Sequence, residues 1–319
     1  MAKSVVKKYF EENAESWVAD GYGDDGYTYP VGHHRTRIVL KVLSGLGNSL
    51  KVVDLGCGGG QLSCALAESG HTVVGIDQSD KMVNIAQKNR STLPAKLQKR
   101  INIIRCPIES NNLKEHSFDA VTAMGLIGYL RDDNILFKIA HRLLKPNGIF
   151  LVSCRNRLFN MVSITPKTKR EIRSKTAMPL ISELESLYKT VSKKDADELV
   201  QRFKHITASL PNKTMYGKMD MLSPAEKLNA NPYRTQVEAR QHTPKNLLRT
   251  AMKFGFSNKA YYGVHPHIIA PPANRLLPPG IFNKISNCLE ALEHLPVSLI
   301  WSSVFIGVFK KKKEKNHEK

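Results

Sequence analysis

Four of the five residues from Gly56 to Gly60 are glycine, and they follow directly on the apolar run "KVVDL" (Lys51–Leu55). A strand ending in such a cluster presents bare backbone N–H groups and tolerates positive φ, so it suits close approach of a ligand. The chain then reads "GGQLSCALAESG", helical, and "HTVVGID", a strand, which predicts a βαβ unit with a short crossover helix. The alternation continues. "SDKMVNIAQKN" is a helix, "INIIRC" and "FDAVTAMG" are strands, "NILFKIAHRLLKPNG" is a helix closed by Pro146 and Gly148, and "IFLVSC" is a fifth strand. This rhythm predicts an open α/β sheet, mostly parallel, with helices on both faces.

A dinucleotide fingerprint needs G-x-G-x-x-G after the first strand, but Gln61 stands where its third glycine belongs. Asp54, two residues before the first glycine, works against a pyrophosphate and suits a cationic ligand. The next strand ends in Asp77, placed to take two ribose hydroxyls.

These residues carry a resemblance. "VVDLGCGGG" with "VVGIDQS" is similar to the first two motifs of the class I S-adenosylmethionine-dependent methyltransferases. "SFDAVTAMGLIGYL" resembles the segment after their third strand, and "LLKPNGIFLVS" their fifth-strand segment. The likeness runs from about residue 37 to 155 and returns at 242–310. It implies S-adenosyl-L-methionine as cofactor and a Rossmann-like sheet of seven strands, the last antiparallel to the rest. "SSVFIGVFK" fits that last strand as the hairpin return after "KAYYGVH".

The resemblance also implies roles. Gly56 and Gly58 let the backbone approach the methionine and ribose, and Asp77 holds the ribose hydroxyls. Ile108 and Glu109 flank the adenine, and Met124 presents its carbonyl near the methionine amino group. Arg37 meets the methionine carboxylate, as an arginine ahead of the first motif does in the similar ubiquinone-pathway O-methyltransferases. One place departs from the pattern: many relatives carry an aspartate after the third strand, where this chain has Pro107 in "RCPIES". Glu109 or backbone then receives the adenine amino group.

The rhythm stops after Cys154. The expected divisions are an N-terminal helical cap (1–40), a cofactor-binding core (41–155) and a helical substrate lid (156–240). The end of the core (241–310) follows, with a proline-rich and helical insertion at 266–297, and then a basic tail (311–319). The five cysteines (Cys57, Cys64, Cys106, Cys154, Cys288) are scattered without C-x-x-C, so reduced thiols and no metal site are expected. The N-terminal stretch has no long apolar core of a secretory signal, and no apolar run reaches the roughly 18 residues that span a bilayer. A cytoplasmic chain is the expectation.

A net charge of +20 suggests an anionic partner: nucleic acid, an acidic membrane surface or a phosphorylated substrate. The lack of an RNA-binding module and of RNA-methyltransferase motifs argues against nucleic acid. "PPGIFNKISNCLEALEHLPVSLIW" followed by lysines is a modest interfacial signal for a peripheral membrane contact. The sequence leaves the oligomeric state open.

Methyl transfer from a sulfonium needs a held nucleophile and a route for its proton, not a covalent enzyme nucleophile. "AMGLIGYL" lacks the acidic or amide residue with paired prolines of enzymes acting on adenine or glutamine amides, and is similar to the same segment of sugar methyltransferases. Cys154 reads as a buried strand-end residue. Arg155 and Arg157 in "SCRNRLFN" stand at the pocket mouth, ready for a phosphate or carboxylate. Tyr129 is a further substrate contact. His242, in "RQHTPKNLL" before a helix, is the first candidate for the base; Tyr129, Tyr262, His265 and the His33/His34 pair are weaker ones. The reading is methyl transfer to a small-molecule acceptor, an oxygen of a sugar, quinone-like or lipid-linked compound. Amine methylation of an amino sugar or phospholipid headgroup, or an RNA-binding methyltransferase, are the alternatives.

Overall fold

The computed structural model describes residues 3–23, 29–209, 237–267, 270–271 and 279–313. The later part of the expected lid (210–236), part of the proline-rich insertion (272–278) and most of the basic tail (314–319) lie outside the described residues.

Eight strands form one sheet: β1 (Lys51–Leu55), β2 (Thr72–Asp77), β3 (Ile101–Arg105), β4 (Phe118–Met124), β5 (Leu144–Asn156), β6 (Gln241–His242), β7 (Phe256–Pro266) and β8 (Ser302–Lys311). Their order is β3-β2-β1-β4-β5-β8-β7, with β6 pairing β5 off this path. Pairs among β1 to β6 are parallel, and β8 is antiparallel to both β5 and β7. The strand order reverses between β1 and β4, the switch point where a doubly wound sheet opens a crevice. The expected mostly parallel Rossmann-like sheet with an antiparallel last strand is present, and two-residue β6 is the addition.

Helices α1 (Lys3–Tyr22) and α2 (Val31–Ser44) precede the sheet. α3 (Gln61–Glu68), α4 (Asp80–Ser91), the single turn α5 (Ala95–Gln98) and α6 (Asp133–Leu143) connect its strands. Their starts follow from side chains that satisfy the first free N–H groups. Ser79 accepts from Met82 N at 3.2 Å ahead of α4, and Asp132 accepts from Asn134 N at 3.0 Å ahead of α6. Val52 and Val53 of β1 enter different cores, as the period of a strand buried on both faces requires. Phe137, Phe150, Phe256, Phe305 and Phe309 fill one core, and Ile38, Leu43, Leu62 and Leu66 the other.

Two boundaries differ from the sequence reading. α6 ends at Leu143, before Pro146, because Leu144 already pairs with Phe118 of β4. β5 runs beyond Cys154 to Asn156, because β6 and β8 supply partners there.

The lid region holds α7 (Pro166–Arg173), α8 (Ala177–Tyr188) and α9 (Lys193–Ser209). α10 (Pro244–Lys253) and α11 (Pro279–Glu290) belong to the C-terminal part. Leu180 and Leu184 of α8 share a small separate core with Leu289, Leu292 and Leu295. The apolar residues that suggested an interfacial helix at Leu289 and Leu292 are thus buried against the lid. No helix among the described residues is long and apolar enough to cross a membrane.

Candidate functional site

The glycine turn after β1 is built as a cradle. Gly56 N and Cys57 N both donate to Ile76 O, at 2.8 and 3.0 Å, which folds the turn over the end of β2. Gly56, Gly58 and Gly60 have φ of 69°, 52° and 76°, a region that favours glycine. Gly58 N donates to one carboxylate oxygen of Asp77 at 3.0 Å, and Ser79 N to the other at 2.9 Å. Both oxygens keep a second lone pair for a ligand. Burial pushes the Asp77 carboxyl up from its ordinary value, and the N–H donors oppose that rise.

A cleft borders this carboxylate. Ile108 and Glu109, on the 3-10 turn after β3, line it together with Gly56, Gly58, Met124 and Tyr129. Its roof is α1, which contributes Val6, Phe10 and Trp17. Glu11 fastens that helix by accepting from Asp80 N and Lys81 N at 2.6 and 3.1 Å, the free N–H groups at the start of α4. Phe10 packs edge-on against Tyr129, ring centroids 5.1 Å apart.

From Gly56, Gly58 and Met124 the space widens into a chamber of about 860 Å³. Tyr9, Tyr22, Tyr29, Phe159, His265 and His267 give it aromatic walls, and Arg35, Arg155 and Lys167 border it. Eight of the expected site residues thus fall on this space: Asp77, Met124, Gly56, Gly58, Ile108, Glu109 and Tyr129 on the cleft, and Arg155 on the chamber.

Four do not act as expected. Asp54 is 1% exposed, and its oxygens accept from Thr122 Oγ1 at 2.8 Å and Ser63 Oγ at 2.9 Å. It ties β1 to β4 and α3, and burial raises its carboxyl to about 6. Arg37 points away from the cleft: it is ion-paired to Glu290 and, at 3.4 Å, to Glu293. Glu293 also meets His34 Nε2 at 2.9 Å and Lys41 at 3.1 Å, and Tyr29 donates to Glu290. Arg157 forms a two-pronged pair with Glu171, 2.9 and 2.7 Å, so it braces the lid and is not open to a substrate. That pair is the first cause holding the Glu171 carboxyl down at about 2.

His242 is the fourth. It is 5% exposed and borders neither the cleft nor the chamber among the described residues. Its Nε2 faces both Asp133 oxygens, at 3.1 and 3.0 Å, while Nδ1 is buried without a partner. Arg240 binds the same carboxylate at 2.6 Å and the carbonyls of Ile127 and Leu130 at 3.0 and 2.9 Å. Burial alone would raise Asp133; the hydrogen bond and charge of His242 and the Arg240 charge outweigh it and hold Asp133 low. Parallel pairing of β6 with β5 turns His242 toward α6 and leaves the neighbouring Gln241 on the chamber.

Arg35 is the residue that the sequence reading missed. It borders the chamber, its Nε is cut off from solvent without a partner, and its Nη1 lies 3.1 Å from where a Cβ on Gly125 would stand. Helical spacing carried the signal: Arg35 precedes buried Ile38 and Val39 by three and four residues, whereas Arg37 shares its face with solvent-reaching Lys41. His265, a weaker candidate, is on the chamber wall. Its backbone has φ of 56°, its ring stacks on Tyr29 with centroids 4.6 Å apart, and its Nδ1 lies 3.0 Å from Ser303 Oγ. Burial, then the neighbouring His267, His34, Arg35 and Arg155, pushes its imidazole well below the ordinary histidine value.

Residues 53–152 match the family model described as a methyltransferase domain. The ubiquinone biosynthesis O-methyltransferase of Pasteurella multocida is 30% identical over 159 residues, covering 46% of this chain and 63% of that protein. The mitochondrial enzyme of the same description from Rattus norvegicus is 35% identical over 118 residues, covering 37% of this chain and 33% of that protein. The chain thus spans less than two thirds of the length of either relative. Among solved structures, magnesium protoporphyrin IX methyltransferase from Synechocystis with bound SAH superposes with a TM-score of 0.55. The match covers 97% of this chain and 99% of that one at 17% identity, a likeness of fold.

Proposed function

We propose, from the premise that this chain belongs to the class I S-adenosylmethionine-dependent methyltransferases, that it transfers a methyl group to an oxygen of a small-molecule acceptor. The observation that carries the reading is a pair of adjoining spaces that share Gly56, Gly58 and Met124, with Asp77 on one and Arg35 on the other. Asp77 is fixed by two backbone donors on one side, and Arg35 has no carboxylate within ion-pair distance among the described residues on the other. That donor set fits the cofactor. Asp77 would take the ribose hydroxyls, Ile108 and Glu109 would border the adenine, and Arg35 would meet the methionine carboxylate. When bound, S-adenosylmethionine supplies an electrophilic methyl carbon on a sulfonium.

The chain's own residues do the rest. α1 covers the cleft with Val6, Phe10 and Trp17 and keeps water out. The aromatic walls hold the acceptor flat, which supplies positioning, the main requirement of an in-line displacement. His265 replaces His242 as the group placed to take the acceptor's proton. With Nδ1–H donating to Ser303 Oγ, Nε2 is left as the accepting nitrogen, and the neutral ring is the form a base needs. Curated relatives described as O-methyltransferases support oxygen as the acceptor atom.

Calorimetry on the purified chain tests the reading. S-adenosylhomocysteine is expected to bind at ~micromolar Kd, about −8 kcal/mol. Asp77→Asn keeps the shape but sets an amide N–H₂ against one of the two backbone donors. It should weaken binding by about 10- to 100-fold, the scale of a lost charged hydrogen bond. A wild-type chain that binds no S-adenosylhomocysteine would sink the proposal.

A further inference from the structure

The arginines around the chamber sort into two groups. Arg157 is paired with Glu171, Arg170 with Glu238, Arg240 with Asp133 and Arg37 with Glu290 and Glu293. Arg35 and Arg155, which border the chamber, have no carboxylate within ion-pair distance among the described residues. Lys167 stands on the same wall. Its nearest carboxylate, Glu238, is 3.9 Å away and already engaged by Arg170 at 3.1 Å through both oxygens. Three carboxylates border the chamber as well: Asp20 has no ion pair to any of these cations, Asp54 is taken up by Thr122 and Ser63, and Glu238 is the one held by Arg170.

Cations that outnumber the carboxylates beside them repel one another, and an anion that enters relieves the repulsion. The repulsion is felt here. Burial first, then the Arg155 charge, lowers the Lys167 ammonium; burial is also the first cause lowering Arg35 and His265, with Arg155 a smaller one. One anion is accounted for by the methionine carboxylate at Arg35. Arg155 and Lys167 remain, on the lid side of the chamber.

We propose that Arg155 and Lys167 form an oxyanion subsite, so that the acceptor is an aromatic or otherwise flat molecule carrying a carboxylate or phosphate as well as the hydroxyl that is methylated. This rests on the methyltransferase reading and adds the acceptor's chemical class to it. The planar guanidinium of Arg155 takes two oxygens of the anion, and the Lys167 ammonium adds a point charge. The ring lies between the tyrosine and histidine walls.

The test titrates the whole chain, first saturated with S-adenosylhomocysteine, with benzoate, phenyl phosphate and neutral benzamide at one fixed ionic strength. At least one anion should bind about tenfold or more tightly than benzamide, the scale of a hydrogen bond to a charged group. Benzoate above phenyl phosphate identifies a carboxylate acceptor; the reverse identifies a phosphate. Arg155→Gln and Lys167→Gln should each remove most of that preference and leave S-adenosylhomocysteine affinity in place, and Arg155→Lys should restore part of it. Anions that bind no better than benzamide, or a preference that survives Arg155→Gln combined with Lys167→Gln, would overturn the subsite and leave the cofactor reading standing. Failure of S-adenosylhomocysteine to bind the wild type would overturn both.

Discussion

The cofactor end and the acceptor end of the cleft are built differently. At the cofactor end the work is done by backbone: three positive-φ glycines, and two N–H groups that grip Asp77, all between residues 56 and 79. At the acceptor end it is done by side chains from α1, α2, β5, α7 and β7, which are far apart in the chain. The first end is governed by conformation and the space around Cα atoms. The second is governed by charge and burial. Substitutions at the two ends should therefore fail in different ways.

The largest effects are expected within the glycine turn, where neighbours should separate. A Cβ on Gly60 would stand 2.9 Å from Ala86 Cβ in the fully buried start of the α3–α4 contact, at a φ of 76°. Gly60→Val adds overpacking to left-handed strain and should cost about 4 kcal/mol of stability by chemical denaturation. A Cβ on Gly58 meets only Met82 Sδ at 3.8 Å, so its neighbours leave room, while the cleft side does not. Gly58→Val should lose more of its S-adenosylhomocysteine affinity, about 100-fold, than Gly60→Val loses per folded molecule. Equal losses of stability in both would erase the distinction between turn and ligand contact.

At the acceptor end the expected signature is a pH dependence. Burial lowers the His267 imidazole from 6.5 to about 4. Between those values the unfolded chain carries the proton and the folded chain does not. Stability is therefore full above pH 6.5 and should fall by about 3 kcal/mol as pH drops toward 4, with His265 adding in the same direction. His267→Gln should flatten that limb in denaturation curves taken across the range. A wild-type profile that is level from pH 6.5 to 4 would show that these rings are not held neutral.

The smallest effect separates His242 from the site. Asp133 keeps Arg240 when His242 is replaced, so His242→Gln should cost about 1.5–2 kcal/mol of stability and leave S-adenosylhomocysteine affinity unchanged. Reduced affinity with unchanged stability would return His242 to the binding machinery.

The same division explains what could be read from the residues alone. The sheet and the cradle were legible, because strand alternation, the glycine cluster and strand-end acids are short-range patterns. Ile108, Glu109 and Met124 were named through the family resemblance, and all three line the cleft. The acceptor end was mostly not legible. Arg157 and Arg155 look alike in "SCRNRLFN", and only the position of Glu171, in α7, tells the paired arginine from the open one. His242 looked like a base until the two-residue β6 fixed which way it turns, and a pairing so short leaves no periodicity to find. Arg35 was within reach, had the buried face of α2 been traced through Ile38 and Val39.

The buried cluster beyond Arg37 bears on how the molecule is made. Tyr29 and Glu290 are 261 residues apart, and His34 and Glu293 are 259 apart. A ribosome adds residues one at a time at about 5–20 per second, so the glycine turn and β1 to β5 emerge long before those glutamates. Until residue 293 has emerged, α2 packs on β1 and α3 but lacks its ion pairs to Glu290 and Glu293. During that interval the nascent chain has the Asp77 cradle, while the polar latch of the helix that carries Arg35 is still unmade. The last polar contacts behind the chamber wall therefore close at the end of synthesis, however early the best-marked sequence motif is translated.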